Sequence, residues 1–347
     1  MRALQLVRWQ SDPELREVPE PEAGPGQVVV AVGAAGACHS DLHVMYDYPE
    51  GAVPYEIPFT LGHENAGWVH QVGAGVRGFE VGQPVAVYGP WGCGVCPHCA
   101  VGAEIYCEDP ANAYVAGGGG GLGADGGMAP YQLVPNPRFL FPLPDGLDPV
   151  QAAPLTDAAL TPYHAVKRSL PKLVPGSNAV VIGVGGLGHL GVQYAARMGF
   201  RTAVIARGKD KEPLARQLGA AHYIDSQAAD PAAELTRLGG AKVVLATVTH
   251  GPAMSATVGG LAPRGRLMVL GAAESLETSP FLLIGGRRSV EGWYAGTSID
   301  SEDTLAFSVQ SGVRSVNEVY PLERAAEAYD RMMSGKARFR VVLTTGK

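Results

Sequence analysis

The sequence predicts an α/β protein of two domains, an irregular β-rich one followed by a doubly wound parallel sheet. Three observations carry this prediction. Residues 1–150 hold short apolar runs split by glycine and proline turns. From about residue 151 apolar strands alternate with helical patterns. At the head of that alternation the strand Ala179-Val180-Val181-Ile182 runs directly into Gly183-Val184-Gly185-Gly186-Leu187-Gly188 and then a helix.

Composition narrows the function. The chain has 347 residues, is 46% hydrophobic and 17% charged, and carries a formal net charge of −6. No basic stripe exists, so nucleic acid is not an expected partner. No apolar run approaches the roughly 18 residues of a membrane span. The first ten residues lack the apolar core and cleavage site of a signal peptide. A cytoplasmic location is expected. In a reducing compartment disulfides are rare. The five cysteines divide into Cys38 alone and Cys93, Cys96, Cys99 and Cys107 together, which suggests one thiolate metal cluster and one separate functional cysteine.

Along the first half, residues 3–7 and 27–32 read as strands joined by a turn-rich connector at 19–25. The second strand leads into Cys38-His39-Ser40-Asp41-Leu42-His43, which gathers a thiol, a hydroxyl, a carboxylate and two imidazoles where a strand ends. A segment with Tyr46, Tyr48 and Tyr55 follows, then Gly62-His63-Glu64, an imidazole beside a carboxylate. Strands are expected at 68–72 and 85–88. The spacing C-x2-C-x2-C-x7-C over Cys93–Cys107 suits four thiolates closed around a structural zinc. His98 lies inside this knuckle but is not needed by it. The glycine-rich stretch 117–127 reads as a loop, either a surface connector or, through Leu122, a substrate-facing one. Strand pattern returns at 128–134 and 139–143, and the domain boundary is placed just after residue 149.

Residues 149–160 read as an alanine-rich helix carrying Asp157, and 163–170 continue as helix. After the glycine turn, Leu187, Leu190, Gly191, Tyr194, Ala195 and Met198 recur at helical spacing, and Gly199 supplies the stop. Strand, G-x-G-x-x-G, helix and a second strand at 202–205 form the context a dinucleotide-binding turn requires. Glycines let the backbone approach a pyrophosphate, and the helix N-terminus offers donors. Helices at 210–218, 231–238 and 253–261 alternate with strands at 222–224, 242–248, 266–270 and 289–293. The tail, with helices at 301–312 and 324–334 and a strand at 340–343, is expected to pack back on the first domain.

Taken in order, Cys38-His39-Ser40-Asp41, Gly62-His63-Glu64, the four-cysteine knuckle, Asp157 and the Gly183–Gly188 turn resemble the zinc-dependent medium-chain alcohol dehydrogenases over essentially the whole chain. Tyr88-Gly89-Pro90-Trp91-Gly92-Cys93 and Pro154-Leu155-Thr156-Asp157 are similar to bacterial secondary-alcohol dehydrogenases. The resemblance implies a GroES-like catalytic domain of residues 1–150 and 295–347, with its structural zinc lobe at about 91–108, and a Rossmann domain at 151–294. It implies Cys38 and His63 as catalytic zinc ligands, with Asp157 where cysteine is commoner and Glu64 as a rival ligand beside the metal. One thiolate, one carboxylate and a neutral imidazole balance Zn²⁺ as two thiolates and an imidazole do. It further implies Ser40 as first proton carrier, His43 as relay base or pocket wall, Asp41 as the group orienting the metal ligands, and His39 and Arg340 as contacts of the cofactor pyrophosphate. A homodimer or homotetramer paired through Rossmann sheet edges is implied as well.

The cofactor departs from the commoner pattern. An acid normally ends the second strand and binds the ribose 2′-hydroxyl, yet here Ala206 and Arg207 stand there, followed by Gly208-Lys209. Arg207 and Lys209 are either solvated cations or ligands of a 2′-phosphate. NADP(H) is therefore favoured and NAD(H) is the alternative. Asp225 ends the next strand and is expected to lie too far along to replace the acid. Tyr55, Tyr88, Trp91, Leu122, Trp293 and Tyr294 are candidate pocket walls. They are uncharged, which suggests small to medium apolar alcohols, aldehydes or ketones. The rival readings are a zinc-free quinone or enoyl reductase and a non-enzymatic zinc and dinucleotide-binding redox sensor.

Overall fold

A computed structural model describes residues 1–172 and 176–346. The chain divides into two compact units, Met1–Leu160 with Gly296–Lys347, and Thr161–Ala295.

The first unit is built on a seven-stranded sheet, counted among the described residues. Its axis is the strand Val28–Ala37, VVVAVGAAGA, buried along nearly all its length. Such an uninterrupted apolar run needs cover on both faces. It pairs antiparallel with Glu64–Val72, Tyr131–Val134 and Arg340–Thr344. The register sets Gly36 opposite Glu64 and Ala37 opposite Val341. The C-terminal strand thus flanks the point where the central strand delivers Cys38.

Pro149–Leu160 belongs to this unit, a correction to the boundary expected from composition. Asp148 caps the helix Pro149–Ala152 by accepting the Gln151 N–H. Leu160 is fully buried in one cluster with Val28, Tyr88 and Trp91. The alanine-rich pattern is helical only over Pro149–Ala152 and, more tightly wound, Ala153–Leu155; residues 156–159 form a turn, so Asp157 stands outside the helix expected for it.

Among its described residues the second unit carries six parallel strands, His222–Asp225, Arg201–Ala206, Asn178–Ile182, Ala241–Ala246, Leu261–Val269 and Ser289–Gly292. Numbered by their sequence within the unit, their order is 3-2-1-4-5-6, the Rossmann order, whose switch point falls at the end of the first strand. That strand is the one opening into the glycine turn. No helix among the described residues is long and apolar enough to cross a membrane.

Candidate active site and metal centres

Cys38 caps the short helix His39–Leu42 from an extended backbone, φ −130° and ψ 158°. His63 leads into the neighbouring strand. Asp157 lies in the turn after Leu155, where Thr156 N and Ala159 N donate to Ala153 O and Pro154 O. Cys38 Sγ lies 3.9 Å from Asp157 Oδ2, and His63 Nε2 lies 3.7 Å from the same oxygen. With a Glu64 oxygen, these atoms all fall within 4.8 Å of one another. Zinc bonds of about 2.0 Å to N and O and about 2.3 Å to S give tetrahedral edges of roughly 3.3–3.6 Å. A small inward shift therefore places all three side chains on one ion. Both ring nitrogens of the buried His63 lack a hydrogen-bond partner, and of the two it is Nε2 that stands toward Asp157 Oδ2. Burial lowers the His63 pKa, but Asp41, Asp157 and Cys38 outweigh it and hold the ring well above its ordinary value. The cluster favours a positive charge at its centre.

Asp41 stands behind His63, its Oδ1 2.9 Å from His63 Nδ1. Ser40 Oγ lies 3.7 Å from Cys38 Sγ. His43, 37% exposed, pairs through Nδ1 with Asp47 in the turn of helix His43–Asp47, and His39 is exposed.

The glycine-rich stretch is neither a surface connector nor free. Gly119–Gly120 pairs with Gly123–Ala124, and the stretch packs backbone to backbone on the ligand strand. Gly121 has φ +85°, and a Cβ there would strike the Gly62 carbonyl and come within 2.7 Å of His63 N. Only glycine permits this approach. Leu122 is half-buried.

Arg340 is 3% exposed. Its Nη2 binds Glu64 and donates to Ala37 O at 2.8 Å, while its Nε is buried without a hydrogen-bond partner. The missed signal was an arginine opening an otherwise apolar strand, since a buried guanidinium requires an acid. Burial pushes the Glu64 pKa up to about 7, against the pull of Arg340.

The four thiols of Cys93, Cys96, Cys99 and Cys107 also lie within 4.8 Å of one another. The amides of Val95 and Cys96 point at Cys93 Sγ, at 3.4 and 3.2 Å, and Cys99 N at Cys96 Sγ, at 3.5 Å. Backbone N–H groups of Cys99 and Glu108 lower the Cys96 thiol to about 6, while burial pushes Cys99 up to about 12. Four thiolates at this separation need a cation to balance them. Arg138, unremarked in the sequence, holds the lobe by donating to Gly94 O, Cys99 O and the buried Glu104. His98 turns outward to Glu108.

In the second unit, a Cβ on Gly188 would strike the Gly183 carbonyl, so the turn's own packing requires that glycine. Around Gly185 nothing lies within 4 Å of such a Cβ. The turn therefore leaves room beside Gly185, while Gly186 and Leu187 lead into the helix Gly188–Arg197. This cradle fits a pyrophosphate. Arg207 and Lys209 are exposed. Asp225 corrects a further expectation. It stands in register with Ala206, and its Oδ1 accepts N–H bonds from Gly208 at 2.8 Å and Gln227 at 3.0 Å.

The candidate pocket walls separate. Tyr88 and Trp91, 1% and 3% exposed, sit in one buried cluster with Phe139 and Leu160. Trp91 stacks on Phe139, and Tyr88 donates to Gly296 O. Tyr55 is half-buried, donates to Gly117 O, and lies close enough for the His63 charge to act on its phenol. Trp293 packs on His164 in the second unit, and Tyr294 is exposed.

Comparison with known proteins agrees with this architecture. Residues 24–145 match the alcohol dehydrogenase GroES-like domain, and residues 186–310 match the zinc-binding dehydrogenase family. An alcohol dehydrogenase of Geobacillus stearothermophilus is 33% identical over 349 aligned residues, covering 99% of this chain and 98% of that one. The alcohol dehydrogenase of Aeropyrum pernix superposes with a TM-score of 0.90 at 30% identity, covering 99% of this chain and all of that one. The acetophenone reductase of Geotrichum candidum, solved in complex with NAD, superposes with a TM-score of 0.85 at 28% identity, covering 99% of this chain and 97% of that one. Likeness that runs the full length of both units, in sequence and in fold, makes this chain a member of the zinc-type medium-chain alcohol dehydrogenase family, an oxidoreductase interconverting alcohols and carbonyl compounds.

Proposed function

We propose that the chain holds two zinc ions, a catalytic one on Cys38, His63 and Asp157 and a structural one on Cys93, Cys96, Cys99 and Cys107, and oxidises small to medium apolar alcohols reversibly. The observation that carries this reading is the convergence of Cys38 Sγ, His63 Nε2 and Asp157 Oδ2. When bound, zinc supplies Lewis acidity with an open fourth position, and the nicotinamide accepts or returns hydride. Ser40 takes the proton of the substrate hydroxyl. His43, oriented by Asp47 at the solvent end, passes it outward. Asp41 holds the His63 ring, and Arg340 holds Glu64 beside the metal ligands. Tyr55 and Leu122 supply apolar wall, and Gly183, Gly185 and Gly188 cradle the pyrophosphate.

NADP(H) is the favoured cofactor. Its support is the absence of an acid at Ala206 and Arg207 and the exposure of Arg207 and Lys209. Asp225 beside Ala206 is the observation that favours NAD(H) instead. For assembly, support for pairing through the Rossmann edge comes from the edge strand Ser289–Gly292 and from Phe281, 81% exposed, on the helix Pro280–Gly286.

The test combines zinc analysis with rates on 2-propanol and a longer secondary alcohol, with and without chelator. Two zincs per chain and a chelator-sensitive rate are expected. One or none, with a chelator-insensitive rate, points to the zinc-free reductase. Arg207→Ala is expected to raise KM for NADP⁺ about tenfold or more, as one charge-assisted hydrogen bond is worth about 1.5–3 kcal/mol, with KM for NAD⁺ little changed. Equal effects on both cofactors place the 2′-phosphate reading in error.

A further inference from the structure

We propose that the Tyr329 hydroxyl is a positioning group for the catalytic metal site, acting through Asp41 on both His63 and Cys38. The inference rests on the zinc reading above. Tyr329 lies on the helix Ala325–Met333, in one buried cluster with Met45, Met128 and Val341. Its hydroxyl donates to Asp41 Oδ2 at 2.9 Å, across 288 residues of sequence. The same oxygen accepts the Cys38 N–H at 2.9 Å. The other oxygen stands 2.9 Å from His63 Nδ1. One fully buried carboxylate therefore joins the backbone of one metal ligand, the ring of a second, and the C-terminal helix.

The terminal torsion of an aspartate is broad and roughly two-fold. A single backbone donor leaves the carboxylate plane free to rock, and the imidazole it holds rocks with it. A second donor from a different element fixes the plane and aims His63 Nε2 at the ligand set. Burial, with the Asp41 charge, holds the Tyr329 phenol well above its ordinary pKa, so the group stays protonated and is the donor in its bond to the carboxylate. The remaining neighbour of the hydroxyl is Met128 Sδ at 3.3 Å, a weak acceptor. Removing the oxygen alone thus leaves the ring packing in place.

The experiment is zinc release from the full-length chain into a chromogenic chelator, following wild type, Tyr329→Phe, Asp41→Asn and the double variant. Wild type is expected to release two zincs, a faster one from the three-ligand site and a slower one from the four thiolates. Tyr329→Phe is expected to speed the faster phase about tenfold, the low end for loss of an outer partner of a metal ligand. The slower phase is expected to stay unchanged. With cobalt in the three-ligand site, the visible absorption band is expected to move in Tyr329→Phe. In the Asp41→Asn background, Tyr329→Phe is expected to add nothing. An unchanged faster phase in Tyr329→Phe overturns the positioning role alone. An equal acceleration in the Asp41→Asn background also overturns it, because the effect is then one of packing. A wild type that carries only the slow zinc overturns the three-ligand site and the positioning role together.

Discussion

Replacing Asp157 with alanine is expected to lower the zinc content from two per chain to one and to reduce kcat/KM about 10³-fold or more. Asp157 Oδ2 lies 3.9 Å from Cys38 Sγ and 3.7 Å from His63 Nε2, so its loss would leave a zinc held there one protein ligand short. A metal acting as Lewis acid contributes several kcal/mol to stabilising the transition state, and each 1.36 kcal/mol is tenfold in rate. Asp157→Cys restores a ligand of the same charge and is expected to keep both zincs with measurable turnover. Metal analysis beside steady-state rates checks both variants. Two zincs retained in Asp157→Ala transfers the ligand role to Glu64.

The second large effect is on stability. Arg340→Met leaves Glu64 fully buried with its cationic partner gone and the Ala37 carbonyl without its donor. Removing one member of a buried ion pair costs about 3–5 kcal/mol, to be read from denaturant unfolding. Glu64→Gln in the same chain is expected to recover most of that loss, because an amide carries no charge at any pH and needs no cation. The pH dependence has a definite sign. Burial raises Glu64 from 4.5 to about 7, so between those values the folded state holds the proton more tightly than the unfolded one. Its contribution is therefore complete below about pH 4.5 and is lost as the pH rises through 7. In Arg340→Met, without the opposing cation, the decline is expected to extend to higher pH.

Local chemistry was legible in the sequence, and long-range chemistry was not. The cysteine knuckle and the glycine turn read directly because their partners lie within a few residues, and the parallel sheet of the second unit follows from its regular alternation, though its strand order does not. Glu64 and Arg340 are 276 residues apart, and neither carries a local sign of the other. Tyr329 is separated from Asp41 in the same way. Tyr88 and Trp91 show the converse limit. An aromatic beside a metal-ligand motif suits a pocket and a core equally, and the indole N–H of Trp91 is already satisfied by the Tyr88 carbonyl. Asp225 was misplaced because distance along the chain was taken for distance in space, whereas parallel pairing brings successive strand ends together.

The placement of the strand Arg340–Thr344 beside Val28–Ala37 bears on how the protein is made. A ribosome lays down the strand that presents Cys38 early. It must then add a separate nucleotide-binding unit before Arg340, 303 residues after Ala37, can reach that strand's end. Until then Glu64 has no cation and the central strand has an open edge. The four thiols of the knuckle are complete in sequence by Cys107, whereas the pairing of Glu64 with Arg340 waits for the strand that carries the arginine. A chain that stalls before Arg340 therefore holds every thiol of the knuckle but leaves the carboxylate beside His63 without its partner.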